Sequence, residues 1–371
     1  MDWKLADRFM DEGLMPNLAR LVRGGVRADL RSLARDEQVR SPWMCIATGR
    51  VLRMSESLPA FLPDGTRRAG VRTWGGRPLW EILGERGATV GVVNWPYTWP
   101  ASEVNGWVVT NGVARAPEDG WDPIPDLTWP PDLAAELGPL RKTLNATTDE
   151  DIGGFLNGDT WKGEGDEDLR ALAREFRAVW AADQTVLQVA VHFLESRGQP
   201  DLLAVYFDGL LQTCHPFWGP MDPASVRSAD REAVVQTFRD VIPRYYERVD
   251  GIIGEVLAHV DENSTVIVCS GFGFRGPQRS SDGALTLGTA MHSEIGVLAA
   301  AGPGLRRRAN VSDASVLDLA PTILAIMGVP VPRDMEGFVA TDMLDAGFLE
   351  RHPVIYSDPR GEAQATRPGA Q

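Results

Sequence analysis

Cysteine is scarce in this chain. Three residues in 371, Cys45, Cys214 and Cys269, cannot build a disulfide framework and suit a reducing compartment. Basic side chains are also short in number: 37 against 51 acidic ones leave a net charge of -14, which repels nucleic acid and anionic membrane surfaces. No nucleic-acid partner and no membrane partner are therefore expected. Long apolar runs are missing as well. Those at 201–207, 264–270 and 295–301 are each too short to cross a bilayer, and the opening MDWKLADRFMDEG lacks the basic-then-apolar order of a secretory signal. A cytoplasmic location is the expectation from these absences together, and no internal repeat is visible.

What remains is 43% hydrophobic, enough over this length to bury one large core, or one core plus a smaller cap. Short β-branched runs alternate with longer helical patterns, the signature of an α/β fold with a mostly parallel sheet between helices. ATVGVVNW (88–95), GWVVTNG (106–112), DLLAVYF (201–207), STVIVCS (264–270) and IGVLAAAG (295–302) read as strands. Segments 15–25, 77–87, 231–260 and 315–328 carry helical spacing. Ser312 or Asp313 suits the N-cap of the last of these, Gly328 suits its stop, and Pro321 inside it predicts a kink. Residues 113–164 are rich in Pro, Gly, Trp and acids. With a helix at 166–197 they read as an inserted cap, 113–197, over the sheet edge, leaving 1–112 and 198–345 as the core. The small, polar tail 358–371 reads as disordered.

Ligands of open α/β sheets sit at the carboxyl ends of the strands. Two of the five histidines, His215 and His292, fall near such positions. Imidazole is a common metal ligand, although a lone histidine is more often a plain hydrogen-bonding residue.

Seven blocks in order, over roughly residues 1–345, resemble the bacterial type I phosphodiesterase/nucleotide pyrophosphatase family of the alkaline phosphatase superfamily. They include FMDEGLMPNLARLVRGGV, SPWMCIATGR, VYFDGLLQTCHPFW and SVLDLAPTILAIMGVPVPRDMEG. The resemblance implies an alkaline-phosphatase-like α/β core, a phosphoester or nucleotide as small-molecule partner, and a site for two divalent metals, commonly zinc. Two neighbouring dications need acidic and imidazole ligands to hold them, and a coordinated hydroxyl to attack phosphorus.

Carried over position by position, that site is depleted. One metal of the family is held by an Asp-x-x-x-His motif and a late histidine, which map to His215 and His292, but the aspartate position is Leu211. Asp208 is weighed as a substitute ligand against a plainer role as a cap. The second metal takes an Asp-His pair in the frame Ser-Asp-His-Gly-Phe, and here Ser270-Gly271-Phe272-Gly273-Phe274 keeps the frame without the ligands. The nucleophile position maps to Cys45, where a reactive thiol competes with a buried inert one, and Ser55-Glu56 replace the family's His-Gly. The family's first strand and its Gly-x-Asp-Gly end lie ahead of Met1 in this comparison, so an upstream start codon is expected. The resemblance thus implies a degenerate phosphodiesterase with lost or severely reduced phosphoester hydrolysis. An active enzyme with an unusual ligand set and a non-catalytic binding or scaffold protein are the alternatives, and a closed Cys/His zinc centre from Cys45, Cys214, Cys269, His215 and His292 is a further one. The aromatic-rich segment 94–100 reads as packing.

Overall fold

Apolar positions three and four apart shape the first elements of the computed structural model, which describes residues 1–33, 42–51, 76–114, 124–162, 166–222, 232–276, 291–358 and 363–364. Helix α1 (Trp3–Asp11) buries Trp3, Ala6 and Phe9, and its first turn is closed by Asp2, whose carboxylate accepts from the Lys4 N–H at 2.9 Å. Helix α2 (Pro16–Gly24) starts with proline at its first turn, where no N–H partner is lost. Strand β1 (Val26–Arg31) follows directly. Its alternation buries Val26, Ala28 and Leu30 on one face, while Arg27 on the other pairs with Asp7 and lies over the Trp3 ring.

The chain continues through α3 (Pro42–Thr48), α4 (Leu79–Glu85), β2 (Val90–Val93), β3 (Gly106–Val109), β4 (Thr128–Trp129), α5 (Asp149–Gly153), α6 (Glu167–Arg197) and β5 (Leu202–Val205). It then runs through α7 (Gly209–Met221), α8 (Glu232–Phe238), α9 (Val241–Leu257), β6 (Val266–Cys269), β7 (Gly273–Arg275), β8 (Met291–Ser293), β9 (Ile295–Ala301) and β10 (Ala309–Ser315). Helix α10 (Leu319–Ile326), β11 (Val331–Pro332), α11 (Ala346–Arg351), β12 (Tyr356–Ser357) and β13 (Ala363–Gln364) complete it. The α/β class is therefore as expected, and all five apolar runs form strands.

Among the described residues the main strands form two four-stranded sheets rather than one, in the orders β10-β1-β9-β6 and β4-β3-β2-β5, beside a small β11-β12-β13 sheet and a β7-β8 hairpin. β2, β3 and β5 are parallel, whereas β9 runs antiparallel to both β1 and β6. One apolar core spans both sheets, joining Val26 and Leu298 to Val90 and Tyr206 through α3, α4 and α10. A second packs α1, α2, α7, α8 and α9 on the opposite side, with Val297 and Ala299 of β9 contributing to it.

Helix α6 begins on Asp166, whose carboxylate accepts from the Asp168 and Leu169 N–H groups. Its first half packs Leu169, Ala173 and Phe176 into the second core. Its last turns lay Val186, Val189, Ala190 and Phe193 against Val93, Trp107 and Val109 of the sheet. The region read as a cap thus contributes a core helix and, through β4, an edge strand paired with β3.

Two local expectations need correction. Ser312 and Asp313 lie inside β10, and the cap is Ser315, in a reciprocal capping box with Asp318 around the 3-10 turn Val316–Asp318 that leads into α10. Pro321 falls in the first turn of α10, where its missing N–H breaks no helical bond, so no kink is required. In the tail 358–371, Ala363 and Gln364 pair with β12, and the rest beyond Asp358 lies outside the described residues. Among the described residues no helix is long and apolar enough to cross a membrane.

Candidate functional site

The carboxyl ends of β5 and β6 and the β7–β8 hairpin converge on His215 and His292. His215 stands in the middle of α7. His292 sits on β8, held opposite Phe274 by the hairpin register. The two imidazoles meet with Nε2 atoms 3.3 Å apart, so the residues singled out in the sequence do come together. Burial, then the neighbouring His215, and then the Met1 amine all disfavour the charged form of His292 and lower its pKa. A neutral His292 can share one proton with His215 in a hydrogen bond between the two Nε2 atoms.

The frame around these histidines is retained for steric reasons. A Cβ on Gly273 would lie 2.2 Å from the Ile295 carbonyl oxygen, so the hairpin requires glycine there. Phe272 is buried and lies flat on His292, with ring centroids 4.0 Å apart and planes at 20°. At Gly271 a Cβ would approach the Pro42 Cβ to 2.9 Å, closer than side chains tolerate. The two positions that would carry the second metal's carboxylate and imidazole are therefore an aromatic ring and a filled gap.

Leu211 lies on α7 half-buried against the second core. Asp208 precedes α7 but makes no side-chain cap. Its carboxylate accepts from the Tyr206 hydroxyl and from Gln212 Nε2, the latter at 2.7 Å, which corrects the capping alternative. The N–H of Gly209 is instead taken by Asp183 of α6 at 3.1 Å, and Asp183 also accepts from the Tyr245 hydroxyl at 2.7 Å. Burial pushes this carboxyl up to about 6. No sequence pattern marked this network, because a single acid within a long helix carries no periodic signal.

Cys45 is fully buried on α3 in the first core, among Ile46, Ala47 and Trp80. Burial pushes the Cys214 and Cys269 thiols up to about 12, far from the thiolate that attacks or coordinates at neutral pH. Among the described residues no three His, Cys, Asp or Glu side chains gather as a metal-holding group, so Cys45, Cys214, Cys269, His215 and His292 do not assemble the Cys/His zinc centre. Ser55 and Glu56 lie outside the described residues.

Aromatic rings line the approach. Trp43 packs edge-on to Tyr206 at 4.7 Å and to Trp95 at 6.0 Å between centroids, and Trp95 Nε1 donates to the Trp43 carbonyl at 3.2 Å. Asn94, in a left-handed conformation, donates to the Tyr206 carbonyl at 2.8 Å. The segment 94–100 thus ties the ends of β2 and β5 together, and Trp95 in it is buried packing.

A family model described as type I phosphodiesterase / nucleotide pyrophosphatase matches residues 1–312. No curated protein sequence matches the chain. Similar solved structures include human ectonucleotide pyrophosphatase / phosphodiesterase 5, with a TM-score of 0.45 and 10% identity over 85% of this chain and 90% of that one. The murine protein of the same name gives a TM-score of 0.46 and 10% identity over the same shares. Phosphonate monoester hydrolase from Silicibacter pomeroyi gives 0.41 and 14% identity, over 89% of this chain and 71% of that one.

Proposed function

The chain belongs to the type I phosphodiesterase / nucleotide pyrophosphatase family, and from that premise we propose that its two-metal phosphoester hydrolysis is lost or reduced to a trace. One observation carries this reading: the second metal's ligand positions are physically occupied. Phe272 covers the inner face of His292, and Pro42 stands where a side chain at Gly271 would project. An apolar ring cannot neutralise a dication. Holding two of them without carboxylates leaves their mutual repulsion uncompensated.

Each metal contributes several kcal/mol of transition-state stabilisation in such chemistry, by polarising the phosphoryl oxygens and lowering the pKa of the nucleophile. The nucleophile position gives no substitute, since Cys45 faces the core. What the site retains is an imidazole pair packed against aromatic rings, fit to bind a phosphoester or nucleotide rather than to cleave it.

A second reading rests on the histidine pair itself. Two imidazoles bound to one tetrahedral zinc at about 2.0–2.1 Å hold their nitrogens about 3.3 Å apart, which is the spacing of His215 and His292. One weakly held ion and slow single-metal hydrolysis would follow.

Zinc titration calorimetry and hydrolysis of bis-p-nitrophenyl phosphate with zinc or manganese distinguish the two. On the first reading the chain turns over at the background rate, and Phe272→His, which adds a third imidazole beside the pair, tightens zinc binding at least tenfold, or about 1.4 kcal/mol. Slow but metal-dependent turnover clearly above background by the unaltered chain, abolished by His292→Ala, would overturn it in favour of the second.

A further inference from the structure

One face of α7 carries polar side chains at the spacing of successive turns. Asp208, whose backbone is already helical, Gln212 and His215 stand four and then three residues apart, and so share a stripe that runs about 10 Å along the axis to the histidine pair. Both oxygens of Asp208 are fixed within it, one by the Tyr206 hydroxyl and one by Gln212 Nε2 at 2.7 Å. Each oxygen keeps a second lone pair. The side-chain carbonyl of Gln212 and the hydroxyl of Tyr97 make no hydrogen bond among the described residues.

Tyr97 reaches this stripe from the loop after β2. Burial raises the pKa of Tyr206, and Asp208, Asp183 and then Tyr97 add to it, which places the Tyr97 phenol near the Tyr206–Asp208 bond. The backbone of Tyr97 is left-handed, with φ 65°, a conformation disfavoured for a bulky residue, yet its side chain is 37% exposed and gains little from packing. Asn94 is left-handed as well, and its N–H and its side-chain amide donate to the Val109 and Tyr206 carbonyls, both at 2.8 Å. Such strain is kept where a side chain must be presented to a ligand.

Charge decides which part of a ligand this rim takes. No lysine or arginine stands on α3, in segment 94–100, on β5 or on α7, so nothing here neutralises an anion. The rim offers a carboxylate, an amide oxygen and a phenol, which suit a group that both donates and accepts. A hydroxyl does both, whereas an ammonium group only donates and leaves the Tyr97 O–H without an acceptor. Trp43 and Tyr206, edge-on with centroids 4.7 Å apart, add an apolar wall for the carbon face of a sugar, and both also line the groove of about 540 Å³ between β5 and β6.

We propose that Asp208, Gln212 and Tyr97 form a subsite for the hydroxyl groups of a sugar whose phosphoryl group lies at His215 and His292. This rests on the reading of the site as one that binds a phosphoester without cleaving it, and it names the alcohol that the ester carries. A hexose phosphate laid along α7 reaches from one end of the stripe to the other.

The test is a titration of the 371-residue chain, carrying ring-labelled histidine and kept in a metal chelator, followed by nuclear magnetic resonance. Glucose 6-phosphate, methyl phosphate and phosphocholine are the probes. All carry a phosphoryl group, but only the first brings a set of hydroxyls. Glucose 6-phosphate should shift the His215 and His292 ring signals with at least tenfold higher affinity than methyl phosphate. Tyr97→Phe and Gln212→Ala should each lower its affinity at least threefold while changing that for methyl phosphate less than twofold. Both side chains are exposed, so neither variant removes a core contact. If methyl phosphate binds and glucose 6-phosphate gains nothing over it, if phosphocholine binds more tightly than glucose 6-phosphate, or if the variants weaken both phosphates equally, the subsite is overturned and the reading beneath it stands. If no probe shifts His215 or His292, both are overturned.

Discussion

At Gly209 the backbone leaves no room for a side chain: a Cβ would lie 1.8 Å from the Tyr245 hydroxyl and 2.3 Å from Asp183 Oδ2. Those two groups hold the start of α7, and through it the position of His215. Asp183 is buried, so its charge is costly even with two donors, and its pKa is raised from 3.8 to about 6. The consequence for stability has a definite sign. A carboxyl whose folded pKa exceeds its unfolded one binds its proton more tightly in the native state. Its contribution is therefore complete below about pH 4 and lost as pH rises through about 6, by ~3 kcal/mol. Asp183→Asn keeps an acceptor, Oδ1, for the Gly209 N–H and offers Nδ2 as a donor to the Tyr245 hydroxyl oxygen, but does not titrate. Urea denaturation between pH 4 and 7 should show the unaltered chain losing stability relative to Asp183→Asn across that window. Parallel curves for the two proteins would mean that Asp183 does not titrate there.

Caps decide where the later elements begin. The Ser315 hydroxyl accepts from the Leu317 N–H at 3.3 Å, and Asp318 returns the bond by accepting from the Ser315 N–H at 2.9 Å. Asp318 also accepts from the Phe338 N–H at 2.8 Å, tying a distant loop to the start of α10. Ser315→Ala should therefore cost about 1 kcal/mol in urea denaturation, in the usual range for an N-cap, and Asp318→Ala roughly twice that because it releases two backbone donors. Equal costs would show that the Phe338 contact adds nothing. This cap also marks what was legible in the sequence. The five apolar strands could be read because strands buried on both faces become continuous hydrophobic runs. β1 and β10 could not, since VRADLR and ANVSDAS alternate with charged or polar residues and resemble loops. Missing β10 displaced the cap from Ser315 to Ser312 or Asp313. At the site, the nearness of His215 and His292 was legible in their placement near strand ends. The close approach of Pro42 to Gly271 was not, because it depends on a contact between segments more than 200 residues apart.

Over the whole molecule, backbone pairing and side-chain packing divide the structure differently. No strand ladder joins β6 to β5 among the described residues, so hydrogen bonding alone would leave two separate sheets. The apolar core disagrees with that division: Val26, Leu30 and Leu298 of one sheet share a cluster with Val90, Val92 and Val108 of the other, bridged by Leu79, Trp80 and Leu319 from the covering helices. Hydrophobic burial grows with area and is not directional, whereas a missing ladder forfeits only the net worth of its hydrogen bonds, about 1 kcal/mol each. Helix α6 adds a second link, because its first half belongs to the core beneath α7–α9 and its last turns pack under β2 and β3. Separating the sheets would expose the interior of both clusters at once. Calorimetry should accordingly show a single unfolding transition with equal calorimetric and van't Hoff enthalpies. Two resolved transitions would mean that packing across the groove is too weak to couple the halves. In that case the β10-β1-β9-β6 sheet and the β4-β3-β2-β5 sheet should lose their amide protection at different temperatures.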